Sequence, residues 1–416
     1  MHPPERPAPL NAVLGFTFLN SLGTGAVTNG LFFLTANAFA FGATKNFLLG
    51  VVLGAVYIGG ALASGPLVRA LSRRRTSISA RTAVTTLMII GAGTCLLPWT
   101  AALANSGDPP EWSAWVFGLA YIPLTGLLWP IVEAFLSGGR KGQSLRSATG
   151  RFNVCWAAAL VVAYWMMAPL LETGPLLVLV GLGAVHLIAI APGWAMGCSP
   201  AHHLADDAHV IPDSYPGLCK TFRVLLPMSY IVLSTLTPYL PTSLTQLEVP
   251  VGWQPVVAST WLFARVFVFG AFERWHGWHG RRWTPIVSVI TLVVGFAATI
   301  SAPLLGDSGL FVLILGLAAV GSAQALIYLA ALYYTLEVGA DGIDAGGSHE
   351  ALIGAGYLIG PGLGLIAALA VGDDSPAFTP ILLTSVSVLA GSMGIFALLR
   401  AGKRPHLDGT DHRIAS

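Results

Sequence analysis

Stretches of twenty or more mostly apolar residues recur from one end of this chain to the other. LNAVLGFTFLNSLGTGAVTNGLFFL opens at Leu10, and ILLTSVSVLAGSMGIFALL closes at Leu399. A helix needs about 20 such residues to cross a bilayer. Inside lipid, every backbone N–H and C=O must find a partner within the segment or in a closed barrel. The composition agrees: 55% of the 416 residues are hydrophobic and 10% are charged, with a mean hydropathy of +0.72. Soluble domains carry about 25% charged residues. The expectation is an all-α polytopic membrane protein. TANAFA, after the first apolar run, imitates a signal-peptidase site, but Leu10–Leu34 far exceeds the roughly 7–15 residues of a signal core. It reads as a retained first span.

Twelve spans are expected, at 10–37, 46–70, 82–104, 113–137, 149–171, 174–196, 222–246, 253–273, 284–304, 309–336, 350–372 and 377–400. The longest polar connection, residues 197–220, divides them into six and six. The predicted organisation is an N-terminal bundle over 1–197, a linker over 198–219, a C-terminal bundle over 220–400 and a tail over 401–416. With the N-terminus cytosolic, all of the 21 basic residues except Lys45 and Arg265 fall on cytosolic segments. That is a strong positive-inside bias. The outer loops carry acids such as Glu111, Glu172, Asp373 and Asp374. The expected location is a plasma membrane, a bacterial inner membrane being the simplest, with both termini cytosolic.

The two halves share landmarks. Gly65 runs into a basic turn after the second span, and Gly270 does so after the eighth; Glu133 ends the fourth span, and Glu337 ends the tenth at nearly the same offset. Such repeats imply two pseudo-symmetric six-helix bundles, with a site between them near mid-membrane.

At this point the chain resembles the major facilitator superfamily. Between spans two and three that family carries G-x-x-x-D-R/K-x-G-R/K-R/K. Gly65, Arg73 and Arg74 match; Arg69, Ala70 and Ser72 stand where the acid, the first basic residue and the second glycine are expected. The second-half copy holds Glu273–Arg274 and Arg281–Arg282, and GAGYLIGPGLG at 354–364 is similar to the family's glycine-proline motif. The resemblance implies a carrier working by alternating access. It also implies that acids deep in the first or fourth span would serve proton coupling, and none is expected that deep here.

Arg265 is the residue most at odds with its surroundings. It falls about 12 residues inside its span, or ~18 Å deep at ~1.5 Å per residue. A lipid-facing cation there costs from ~3 to more than ~10 kcal/mol, so it must face a cavity or a partner. A guanidinium forms bidentate bonds to carboxylates and phosphates, which makes Arg265 the leading candidate to bind an anionic group. A structural arginine satisfied by carbonyls is the blander alternative. Asn20, Thr24 and Asn29 give span one a polar face. Together with Trp129, Trp156, Tyr230, Trp261, Gln324 and Tyr328 they are expected to line a substrate cavity, although each aromatic taken singly fits packing as well. Pro238 and Pro241 suggest a broken or bent outer half of span seven.

The expected gate and coupling set is Glu133, Arg69, Arg73, Arg74, Glu273, Arg274, Arg281, Glu337, His349 and Glu350. Glu133 is read as a cytosolic gate partner of Arg69 or Arg73, and Glu337 as the counterpart pairing Arg274 or Arg281. Glu133 as a protonatable coupling residue is the alternative. His349–Glu350 is expected to open span eleven at the cytosolic face, where an acid suits the helix dipole. His186 reads as a hydrogen-bonded helix histidine. The four cysteines form no metal-ligand pattern, and His202–His203 lacks identifiable co-ligands; no metal and no cofactor are called for.

A secondary or facilitative transporter of a small polar or anionic solute is therefore the leading expectation. An exporter of amphipathic, lipid-like or drug-like compounds and a non-transporting receptor on the same fold are the alternatives. A membrane-embedded transferase would need paired acids at a membrane face for Mg²⁺-diphosphate. An ATP-driven pump would need a GxxxxGK[ST] loop, which is absent. The expected partners are a small-molecule substrate, the lipid bilayer and, as an open coupling scheme, protons; the chain is expected to be monomeric and to bind no nucleic acid.

Overall fold

The structure, a computed structural model, describes residues 6–72, 79–201, 211–338 and 343–402. Arg73, Arg74 and the His202–His203 pair lie outside the described residues.

The apolar runs form twelve helical spans. α1 is built from Leu10–Gly23, a π-helical stretch Thr24–Asn29, and Leu31–Ala38. α2 is Ala43–Ser72, α3 is Ala80–Cys95 continued by Leu97–Ala104, α4 is Glu111–Ser137, α5 is Gly142–Thr173 and α6 is Leu177–Ala195. The second half gives α7 (Ser214–Gln246), α8 (Gln254–Ala258 continued by Thr260–Arg274), α9 (Trp283–Ser301), α10 (Gly309–Glu337), α11 (Ile343–Val371) and α12 (Phe378–Gly402). By length and hydropathy eleven stretches are long and apolar enough to cross a membrane. One of them, Trp283–Thr335, holds both α9 and α10. A 3₁₀ turn over Ala302–Ser308, with Gly306 at φ +55°, folds those two helices back on each other. Glycine tolerates this left-handed backbone because it has no Cβ.

The expected break in span seven and the expected start of span eleven change here. α7 is one unbroken helix through Pro227, Pro238 and Pro241. It is packed on many sides, and tertiary contacts hold a helix that local sequence alone would interrupt. α11 begins at Ile343, earlier than the expected residue 350. His349 and Glu350 are therefore nearly two turns inside the helix and buried, and the capping role expected for them falls.

Helices α1–α6 pack as one bundle and α7–α12 as the other, and they meet along two main seams. The larger is α2 against α11; α5 against α8 is its counterpart in the other half. The small residues of α2 allow the first seam to close. A Cβ on Gly54 would stand 2.5 Å from the Leu358 backbone nitrogen, so only glycine fits that crossing. Small residues at such crossings let helix backbones pack closely in lipid, where no hydrophobic drive exists between helices.

Candidate functional site

The side chains that meet at the centre come from both halves of the chain. A cavity of about 50 Å³ is walled by Thr24, Tyr57, Glu133 and Trp156 on one side and by Tyr230, Arg265, Tyr328 and Glu350 on the other. A cavity needs only about 10–15 Å³ of such space to hold a water, so this one admits solvent. The π-helical stretch of α1 delivers Thr24 and Asn29 to the wall, and Asn29 Nδ2 donates to the Thr24 carbonyl at 3.2 Å. Isolated π-turns of this kind recur at functional sites.

Arg265 is 1% exposed. Its guanidinium carbon lies 4.1 Å from the Trp156 ring, 5.2 Å from Tyr328 and 5.4 Å from Phe269. Each desolvated cation–π contact is worth up to ~2 kcal/mol. Nη2 donates to the Tyr230 hydroxyl at a long 3.4 Å, and Nε finds no partner. The stack on Trp156 crosses from the second bundle to the first, so this one cation touches both.

Two carboxylates of the expected gate and coupling set, Glu133 and Glu350, face the same cavity. Glu133 lines it beside Trp129, and its Oε2 stands 3.0 Å from where a Cβ on Gly346 would be. Glu350 lies one turn further along the same face of α11 and accepts the Tyr57 hydroxyl. Position in sequence put Glu133 near the end of its helix. The helix rotation, set by packing of α4 against α2 and α11, turns it inward. Neither carboxylate forms an ion pair with Arg265 among the described residues.

Tyr57 and Tyr357, which sequence reasoning passed over, divide this cavity from a second one of about 20 Å³ nearer the acidic end of the bundles. Both tyrosines line both cavities. Their rings meet edge to face at 5.5 Å, and Tyr357 meets Tyr230 in the same way at 5.3 Å. In sequence, each is one aromatic in an apolar run. Only the pairing of α2 with α11 makes them a septum.

Beyond the cavities, both ends of the bundles are tied. At the acidic end the Asp373 carboxylate accepts the Thr44 N–H at 2.9 Å and its hydroxyl at 2.8 Å. Burial works to raise the Asp373 pKa, and the Thr44 donors outweigh it and hold the group below its ordinary value. Glu172 accepts the Gly252 N–H at 2.7 Å, again between bundles. At the basic end Arg146 of α5 meets Glu337 of α10 at 3.0 Å. Glu337 was expected to pair within its own bundle with Arg274 or Arg281; the partner found here belongs to the other bundle. Glu273 packs on Gly150 of α5, where a Cβ would come within 2.6 Å of its Cγ. Arg274 and Arg281 are exposed, Arg274 donating to the Gly270 carbonyl at 3.2 Å. Arg69 is exposed at the basic end of α2.

Three residues expected at the cavity wall are buried next to it, the Trp261 ring lying 5.9 Å from the Arg265 guanidinium carbon. Trp261 is packed under α10, its carbonyl against Gly321. Gln324 is fully buried with neither amide atom partnered, and Asn20 is 2% exposed with Nδ2 unpartnered. His349, also buried, presents its ring to Tyr328 at 5.7 Å. His186 hydrogen-bonds the Tyr121 hydroxyl at 2.7 Å, as a helix histidine should.

No protein-family model matches the sequence, and no curated protein does. Solved structures do match. The chain is similar to the nucleoside transporter NupG, with a TM-score of 0.65 at 13% identity over 95% of this chain and 99% of that one. A mutant of NupG gives 0.63 at 15% identity, over 95% and 100% of the two chains. A bacterial homologue of the human lysosomal transporter Spinster, in an inward-facing and unoccupied conformation, gives 0.56 at 14% identity over 94% and 95%. With two six-helix bundles and a cavity at their seam, this multi-pass membrane protein has the fold of the major facilitator superfamily.

Proposed function

We propose that the protein is a carrier that moves a small polar or anionic solute by alternating access between its two bundles. The observation that carries this is Arg265: a fully buried cation, paired with no carboxylate among the described residues, facing a cavity walled by both bundles. A buried charge left unpaired costs several kcal/mol. Its retention fits a ligand that supplies the missing counter-charge. Two six-helix bodies, over 1–197 and 220–400, would rock about this point. The septum and the acidic-end ties would gate one side, and Arg146–Glu337 the other. By the positive-inside bias the basic end faces the cytosol of a plasma membrane. Glu133 and Glu350 are the groups in reach of a coupling proton. The similarity to a nucleoside transporter fits a small polar cargo. The charge on the cavity wall disfavours a lipid-like or drug-like cargo, and flux itself separates a carrier from a receptor on the same fold.

Reconstitution in proteoliposomes tests this: a solute screen with and without a pH gradient, repeated for Arg265→Ala and Glu133→Gln. Truncating one side of a buried charge contact costs about 2–5 kcal/mol, so Arg265→Ala should lose at least ~30-fold in apparent affinity. Normal transport by Arg265→Ala would remove the binding role. Glu133→Gln should abolish any acceleration by the pH gradient if protons are coupled there.

A further inference from the structure

The cavity holds a charge pattern that no single-charge solute satisfies. Arg265 on α8 and the carboxylates of Glu133 on α4 and Glu350 on α11 all line it, and none of the three is paired with another. Arg265 is 1% exposed, with Nε unpartnered and its faces covered by Trp156 and Tyr328. Its free edge is what a carboxylate would use, since a guanidinium binds that group through two parallel N–H bonds. Among the described residues the Glu350 carboxylate accepts the Tyr57 hydroxyl alone, and the Glu133 carboxylate accepts no hydrogen bond, the Ser137 hydroxyl donating to the Glu133 carbonyl instead.

We propose that the solute is a small zwitterion, an amino-carboxylate whose carboxylate docks on Arg265 and whose ammonium docks on Glu133 and Glu350. This rests on the carrier reading above and narrows it. A simple anion would answer Arg265 and leave the two carboxyl groups of the cavity without a donor from the solute. A simple cation would answer the carboxylates and leave the buried Arg265 without a counter-charge, at a cost of several kcal/mol. A zwitterion supplies both counter-charges and adds no net charge. The charged and titratable groups around the carboxylates are Arg265 on α8, Tyr57 on α2, Tyr230 on α7, Tyr328 on α10 and Tyr357 on α11, with His349 behind Tyr328. Among the cavity-wall residues only Arg265 brings positive charge, and it belongs to the solute's other end. The solute would therefore span the seam, with Arg265 on one bundle and Glu133 on the other, so that binding draws the bundles together.

The test uses the full-length protein in nanodiscs and matched probe sets: L-alanine with propionate and ethylamine, and L-phenylalanine with 3-phenylpropionate and phenethylamine, extended through the common amino acids. Affinity is read from titrated shifts in melting temperature, and movement from uptake in proteoliposomes. At least one amino acid should bind tenfold or more tightly than both of its single-charge counterparts. Glu133→Gln should erase its advantage over the carboxylate while leaving carboxylate binding within about threefold. Arg265→Lys should weaken the amino acid and the carboxylate together, leaving the amine unchanged. A purely structural role for either residue would not sort the three probes in this way. The inference is overturned if a carboxylate or an amine binds as tightly as its amino acid. It is equally overturned if no amino acid binds while another solute is transported, and in both cases the carrier reading stands. If the screen finds no transported solute of any kind, the carrier reading itself fails.

Discussion

The Tyr57 hydroxyl donates to the Glu350 carboxylate across the seam between the two bundles. One bond thus links α2 of the first bundle, α11 of the second, the wall of the central cavity and the septum above it.

Replacing Tyr57 by Phe keeps the ring that meets Tyr357 and removes the donor to Glu350. A buried acceptor that loses its partner costs about 1–3 kcal/mol, and the melting temperature in nanodiscs should fall accordingly. The septum should also open more often. Thr237 lines the smaller cavity beyond it, so a Thr237→Cys reporter should react several-fold faster with a membrane-impermeant thiol reagent added at the acidic end. Glu350→Gln, whose amide oxygen still accepts, should react at the parent rate. Equal rates for all three proteins would mean that the bond gates nothing.

At the basic end, Arg146 and Glu337 are 29% and 12% exposed. Exposed pairs contribute about 0–1 kcal/mol, and this half-buried one should fall near the upper part of that range. Glu337→Gln should therefore change global stability little while favouring separation of the bundles at that end. The exchange Arg146→Glu with Glu337→Arg should recover part of the effect, which crosslinking between α5 and α10 measures.

His279 gives a pH signature outside the membrane spans. Its ring stacks on Tyr333 at 4.4 Å and 7° and meets Trp278 edge-on. Burial first, then the charges of His276 and Arg146, bring its pKa down from 6.5 to about 4. The unfolded chain then binds more protons than the folded one between those values, so stability rises with pH across that window. The contribution is fully present above about pH 6.5 and is lost as the pH falls toward 4. His279→Phe keeps the stack and should flatten the melting-temperature profile over that range; an unchanged slope would assign the titration to another group.

Much of this arrangement was legible in the residues. Apolar runs fixed the helices, because lipid permits few other structures, and the depth of Arg265 in α8 required an interior partner. What stayed hidden depends on rotation and partnership between distant helices. Glu133 sits near a helix end by count, and only packing shows that it points at the cavity. DGIDAGGSHE looks like a loop from its glycines and polar residues, yet its end is helical and buried, because α11 lies along α2 and α4 where Gly346 and Gly347 fit. Tyr57 and Tyr357 are unremarkable aromatics until α2 and α11 meet. Trp261 and Gln324 are buried, with the Trp261 ring 5.9 Å from the Arg265 guanidinium carbon, an arrangement that depth along the helix alone does not give.

The most direct test is a pair of distances measured by pulsed dipolar spectroscopy along the α5–α8 seam. Spin labels at Arg151 and Arg274 report its basic end, and labels at Thr173 and Trp253 report its acidic end; all four positions are exposed. Alternating access about the Arg265 cavity predicts reciprocal changes: conditions or ligands that widen one distance narrow the other, and Arg265→Ala weakens the response to solute. Two distances that stay fixed, or that widen together, would contradict it.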